Sequence, residues 1–463
     1  MDRPIATHPS AFITAAVLSG LMAAAWLPDS PGPGIFIPLV ALTAGAAVVL
    51  AGSLEWTPQS ISLASTAVLL CFTAALRAAE WVVIVNLLAA CGLAVMAVSV
   101  RGPFAPLLRM HLLLGFFIRS AFPNGLHIRH GPLLTGLTIG GALALIFGGL
   151  FASADAAFSQ FVDAIIPDWN LGSVPLRAFI FGSVIIATTA VAASSERFDE
   201  HALHVPHPNL KLERTESIAA LVVLDLLFAS FVVVQITVLF AGHAHVLATT
   251  GLTYSEYARQ GFFQLIVVAI LTLAVIAMVA RRDDAVLRVL LGVLIALTMV
   301  ILVSALKRLG LYEDAFGLTR QRLLAQALVG WLGGLFLLVA LAGLLRRSSW
   351  LPFACAMLTG ASLLAFTAIN PDALIARRNI ERFNETGKLD VYYLSTLRAD
   401  AAEELANLPE PQRSEALAQL TYELSLNEPW SSWNLSRQRA RFFSNLPTVA
   451  GGCYRKEGSA VAV

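Results

Sequence analysis

Residues 217–241 read SIAALVVLDLLFASFVVVQITVLFA, an unbroken apolar run whose only charge is Asp225 and whose only amide is Gln235. A helix crosses the roughly 30 Å hydrocarbon layer with about 20 mainly apolar residues, because each residue rises about 1.5 Å. This stretch meets that requirement, and a soluble core helix has no need of such length. The same ruler, moved outward in both directions, finds about eleven candidate spans: 11–27, 35–54, 60–79, 81–100, 132–153, 178–194, 217–241, 261–280, 286–306, 323–345 and 351–369. Polar or Pro/Gly punctuation separates most of them, as in Leu27-Pro28-Asp29-Ser30-Pro31-Gly32-Pro33-Gly34. The first, which follows Arg3, reads as an anchor rather than a cleaved signal.

Composition agrees. Of 463 residues 57% are hydrophobic and 13% charged, about half the charged fraction of an average soluble domain. A net charge of +1 gives no global support for nucleic-acid binding. Cys71, Cys91 and Cys355 lie in apolar runs and only Cys453 in a polar tail, so no disulfide framework is expected. The expected fold is all-α: a polytopic transmembrane helix bundle over residues 1–369, then a small helical segment over 370–463, soluble or packed on the membrane domain.

Lys and Arg in short loops mark the cytoplasmic side. Arg101, Arg109, Arg119 and Arg129 share one side with Arg197, Lys211, Arg214, Arg281, Arg282, Arg288, Arg346 and Arg347 if eleven helices alternate. That places the N-terminus inside and the C-terminus outside. The 307–322 stretch objects, since Lys307, Arg308, Arg320 and Arg322 then fall outside. Residues 101–131 interleave leucine and phenylalanine with arginine and read as an interfacial segment.

Beyond residue 370 the pattern changes. Asn370-Pro371 supplies an N-cap and a first-turn proline. Leu394, Leu397, Ala401, Leu405 and Leu408 recur at helical spacing, as do Ala416, Leu417, Leu420 and Leu424. The segment closes on Trp430, Trp433, Arg437, Arg439, Arg441, Phe442 and Phe443, a mixture suited to lipid headgroups and not to nucleic acid.

Thr253 and Glu256 have capping-box spacing ahead of one span, and Gly317-Leu318-Thr319 resembles a second such start. Two ordinary helix starts account for both. Alternatively the two loops converge on one polar site built from Asp225, Glu256, Arg259, Lys307, Arg308, Arg320 and Arg322. Asp225 is the sharpest element, because an ionised carboxylate inside the bilayer costs roughly 3 kcal/mol or more and is kept when paired, protonated or water-connected. Gln235 sits nearly three turns on and about 80° round the axis, so the two need not share a partner. Asn86 and Gln264 are candidates for interhelical hydrogen bonds, and Gly140-Gly141, Gly148-Gly149 and Gly333-Gly334 for close helix approach. His201, His204, His207, His243 and His245 read as solvated loop residues; no metal or cofactor is expected.

Several of these stretches together are similar to one family. They are Leu150-Phe151-Ala152-Ser153-Ala154-Asp155, Thr250–Phe263, Leu311–Arg320, Asn370-Pro371-Asp372-Ala373-Leu374-Ile375-Ala376-Arg377 and Trp433-Asn434-Leu435-Ser436-Arg437. The chain resembles, over roughly residues 100–445, the bacterial polytopic membrane proteins of domain-of-unknown-function family 4173, related to family 4153. The resemblance implies the bacterial cytoplasmic (inner) membrane and supplies no activity. Phe316 stands where the family leads one to expect tyrosine, which removes a hydroxyl from that position.

Three functions stay open, in this order. The first is ligand binding or transport at a polar site near the extracytoplasmic ends of helices 217–345. The second is a sensor or interaction protein that reads an envelope signal through its C-terminal helices. The third is a membrane-embedded enzyme on a lipid-linked substrate, for which Asp155, Asp225 and Glu256 are the suggestive carboxylates. The one partner expected outright is the lipid bilayer.

Overall fold

The computed structural model describes residues 34–50, 57–99, 131–165, 213–240, 262–280, 284–426 and 428–444, with isolated positions near the N-terminus. Among the described residues all regular structure is helical. In chain order the helices up to residue 369 are α1 (Phe36–Leu50), α2 (Pro58–Leu76), α3 (Glu80–Ser99), α4 (Pro132–Ala154), α5 (Ala156–Ile165), α6 (Arg214–Phe240), α7 (Phe262–Val279), α8 (Ala285–Phe316), α9 (Arg320–Leu345) and α10 (Leu351–Ala368). After them come α11 (Pro371–Thr386), α12 (Val391–Ser395), a 3-10 turn, α13 (Ala402–Leu405), α14 (Gln412–Ser425), a second 3-10 turn and α15 (Leu435–Ser444).

Seven of these helices, α2, α3, α4, α6, α8, α9 and α10, are long and apolar enough to cross a membrane. The segments in α1 and α7 are apolar but shorter. The eleven spans expected from sequence are therefore not all established. The 178–194 stretch, nearly all of 11–27 and the interfacial reading of 101–131 lie outside the described residues. Large side chains such as Leu88, Leu145, Leu226, Val289 and Leu344 are more than half exposed, as lipid-facing positions are in a bundle that hides its polar groups. The protein is a multi-pass membrane protein.

The chain divides into two compact units. One comprises residues 55–66 and 91–362. At its centre α4 and α6 run parallel and touch along most of their length. A methyl on Gly136 would lie 2.7 Å from the Glu216 backbone, and one on Gly140 would lie 3.0 Å from Ala220. Lipid is as apolar as leucine, so helices in it associate through such close approach rather than through hydrophobic expulsion from water. Further along, Phe151 stacks on Phe231 at 4.0 Å, and Phe147, Phe158 and Phe228 pack edge-on or tilted around them.

α8 runs in the same direction as α4 and α6. At one end Asp284 caps α8, accepting from the Val286 and Leu287 amides, and pairs with Arg214 at 2.5 Å. At the other end Ser304 reaches Gln235. α8 is 32 residues long, so Lys307 and Arg308 sit within a helix and not in the loop expected from sequence. The turn between α8 and α9 is only Gly317-Leu318-Thr319. Gly317 adopts φ 79°, open to glycine without strain, and Thr319 caps α9 as its sequence suggests.

The other unit comprises residues 1–54, 67–90 and 363–463. Asn86 donates to Thr73 Oγ1 at 2.9 Å and to Thr367 Oγ1 at 2.8 Å, tying α2, α3 and α10 together as its position within a span suggests. The expected apolar stripes of the C-terminal segment are buried, from Leu394 to Leu408 and again at Ala416, Leu417, Leu420 and Leu424. The first stripe runs over α12, a 3-10 turn and α13, and the second lies on α14 alone. α11 begins at Pro371, but Asn370 does not cap it with its side chain. The residue turns left-handed, at φ 58°, and its Nδ2 donates to the Asp400 carbonyl at 3.2 Å.

Candidate functional site

The polar interior of the first unit is built where α4 stops. Asp155 ends that helix in an extended conformation, and its Oδ1 accepts from the Phe158 amide at 2.9 Å to start α5. Its Oδ2 accepts from Gln235 Nε2 at 2.8 Å and from the guanidinium of Arg308. The Gln235 carbonyl oxygen in turn accepts from Arg308 at 2.6 Å and from Ser304 Oγ at 2.9 Å. Arg308 also donates to the Ala154 carbonyl at 3.5 Å. Asp155, Gln235, Ser304 and Arg308 are exposed by 1%, 2%, 3% and 7%. The network is neutral overall and closed, and it joins the α4–α5 junction, α6 and α8 through charge-assisted hydrogen bonds.

Asp225 lies on α6 ten residues before Gln235, about 15 Å along the axis at helical rise. It is 7% exposed, and neither carboxylate oxygen has a hydrogen-bond partner among the described residues. It shares its helix face with Leu221 and Phe228, which are buried in the apolar core. The environments of Asp225 and Gln235 are thus separate, as the angle between them on the helix requires.

Of the seven residues expected to form one site, Glu256 and Arg259 lie outside the described residues. The other five are not gathered. Arg308 turns inward to Asp155 while Lys307, a hundred degrees round the helix, is exposed. Arg322 closes the α8–α9 hairpin: it donates to the Gly317 carbonyl and lies 4.0 Å from the Tyr312 ring centroid. Beside it Gln326 donates to Glu313 at 2.9 Å, and the Phe316 ring lies 5.1 Å from that of Tyr312. Arg320 begins α9 half-buried. The cation of the 307–322 stretch that enters the interior is therefore Arg308, and its counter-charge is Asp155. Gln235 and Asp155 are visible in the sequence as polar residues in or at the end of apolar runs. Ser304 is not, because serine is common in membrane helices.

The second unit has a polar cluster of its own, which the sequence did not announce. Asp400 Oδ2 accepts from the Ala78 and Ala79 amides at 2.7 Å each, capping the start of α3. Asn434 Nδ2 donates to the Ala74 and Arg77 carbonyls at 2.8 Å, closing the end of α2. Asp372 accepts from Trp81 Nε1 and from the Arg398 amide, both at 3.0 Å. Three C-terminal side chains thus satisfy the backbone and indole of one helical hairpin. Burial pushes the Asp400 carboxyl above the usual range and the nearby Asp372 charge adds to this, against the Ser436 hydrogen bond and the Arg77 charge. The Ser436 hydroxyl lies 2.8 Å from the Leu76 carbonyl and 2.6 Å from Asp400 Oδ1. The hydroxyl is the donor to both acceptors, so its proton is shared between the Leu76 carbonyl and the Asp400 carboxylate.

Among the described residues no three His, Cys, Asp or Glu side chains come together as they would around a metal ion. No curated protein and no solved structure matches the chain. A family model described as a domain of unknown function, DUF4153, matches residues 64–408, about three quarters of the sequence. The match takes in Asp155, Asp225, Gln235, Ser304, Arg308, Asp372 and Asp400, and stops short of Asn434 and Ser436. The chain is a member of the DUF4153 family, a domain of unknown function.

Proposed function

We propose that the protein binds, and carries across the membrane, a small polar or charged solute at the Asp155–Gln235–Arg308–Ser304 network. The observation that carries this reading is the network itself. A buried ion pair is weak as a stabilising device, because desolvation offsets most of its attraction. Ionisable groups within membrane helices mark polar pathways by default. Here both charges are bridged by one amide, and a solute carrying a carboxylate or an ammonium group could replace either partner.

The starts of α4, α6 and α8 share one end, and the cations in and before them, Arg129, Lys211, Arg214, Arg281, Arg282 and Arg288, support a cytoplasmic assignment for it. The network then lies toward the outside, with the N-terminus inside and the C-terminus outside, in the bacterial inner membrane. Arg308 does not break the positive-inside rule in any costly way, since Asp155 neutralises it.

The test is binding followed by uptake. Purified full-length protein is screened by thermal shift against amino acids, organic acids, amines and inorganic phosphate, and each solute that stabilises it is followed into vesicles. At least one class is expected to stabilise the wild type and to lose that effect in Gln235→Leu. If none of these solutes shifts the wild type, the reading falls.

A second reading, interaction through the C-terminal segment, is favoured by Tyr392, Tyr422, Trp430 and Phe442, which are 81%, 68%, 72% and 75% exposed. Aromatic residues of this kind are enriched in protein interfaces. Crosslinking at Tyr392 and Tyr422 in intact cells that recovers no discrete protein partner would remove it. The enzymatic reading is not supported by the described carboxylates, since Asp155 is held in its ion pair about 15 Å from Asp225 along α6.

A further inference from the structure

Asp225 plays no part in the network, and its position needs its own account. Its neighbours in the bundle can be read from the register of the three parallel helices. Arg214 meets Asp284, and Gln235 meets Ser304, so Asp225 is about level with Leu294 and Ile295 of α8. Those residues are buried and apolar. The nearest charged side chain on its own helix face is Arg214, eleven residues and roughly 16 Å away, and that residue is engaged with Asp284.

A lone carboxylate inside apolar packing is retained only if something neutralises it. The neutralising charge is single and positive, because one carboxylate supplies one negative charge. Divalent cations need six or more oxygens, usually from several carboxylates, and no such group surrounds Asp225 among the described residues. Burial to 7% exposure restricts the occupant to something small.

We infer that Asp225 is a binding site for a small monovalent cation, a proton or an alkali-metal ion, placed on the helix that also carries the network residue Gln235. The inference deepens the transport reading above and rests on it only for its purpose: the cation taken up at Asp225 is the coupling ion of that transport. The site itself stands or falls independently.

A hydrophobic carbodiimide tests it, because the reagent partitions into membrane interiors and adds to the protonated form of a buried carboxyl. Full-length protein in lipid vesicles is treated between about pH 5 and pH 9, with and without sodium, and the adduct is located by mass spectrometry. We expect a stable adduct on Asp225 that forms at low pH, fades as pH rises, vanishes in Asp225→Asn and returns in Asp225→Glu. Protection by sodium at fixed pH identifies an alkali-metal site; protection by high pH alone identifies a proton site. Either supports the inference. Absence of an Asp225 adduct at every pH, in protein whose other carboxyls react after denaturation, overturns it. So does an adduct that responds to neither pH nor sodium. Labelling without solute uptake would retain the cation site and remove the transport reading. Uptake that persists in Asp225→Asn, without labelling of the wild type, would do the reverse.

Discussion

At the residue scale two buried carboxylates, Asp155 and Asp400, are held in opposite ways. Asp155 faces a guanidinium and the Gln235 amide; Asp400 faces backbone amides, a hydroxyl and a more distant arginine at 3.7 Å. Truncating Arg308 to Met leaves Asp155 charged and unpaired, which we expect to cost roughly 3–5 kcal/mol. The double variant Asp155→Leu with Arg308→Met should recover most of it, and thermal unfolding in detergent reads both. Asp400 behaves differently. Its folded pKa is raised, so its favourable contribution is complete below the unfolded carboxylate value of about 3.9 and is lost as pH rises through the folded value. Asn mimics the neutral acid: it can accept from both amides and donate to Ser436. Asp400→Asn is therefore expected to fold, and to gain stability relative to wild type as pH rises from about 4 to neutrality. Asp400→Ala should lose about 1–3 kcal/mol by stranding the Ala78 and Ala79 amides. If Asn is as damaging as Ala at neutral pH, the upward shift of the Asp400 carboxyl is contradicted.

At the element scale the decisive contact is that of α4 with α6, which positions Asp155 beside Gln235. The glycine pairs of α4 suggested close approach in the sequence, and Gly140 does meet α6. Its tightest point is Gly136, which stands outside any pair and so gave no signal. A Cβ there collides with the Glu216 backbone, which cannot move as a side chain can. Gly136→Val is predicted to separate the helices and cost several kcal/mol, whereas valine at Gly141, which would meet nothing within 4 Å, should be nearly neutral. Equal effects in a thermal shift would contradict the packing. Helix existence was legible here because apolar length alone decides it. Helix extent was not. The charged stretch 307–316 reads as a loop until Asp155, about 150 residues earlier, is known to cancel Arg308. Likewise Asn370 reads as a cap on sequence grounds, yet a tertiary acceptor, the Asp400 carbonyl, takes its amide.

At the scale of the whole molecule, composition announced a multi-pass membrane protein, and the structure supplies what composition cannot, namely which polar groups meet. Of the composite site drawn from the cations of 307–322, the described residues place Arg322 at a hairpin tip and Arg308 in the interior. The partners of Arg308 come from two other helices whose order in space no periodicity reveals. The central proposal is that solute reaches the Asp155–Gln235–Arg308–Ser304 network, closed in this structure, from the outer face. It is tested most directly by a single cysteine at Ser304, in a background with Cys71, Cys91, Cys355 and Cys453 replaced by serine. Intact cells and inverted vesicles are exposed to a membrane-impermeant maleimide. Modification from the outside of intact cells is expected, slowed by any solute that stabilises the protein. Modification from the cytoplasmic side alone, or none from either side until the protein is denatured, would contradict it.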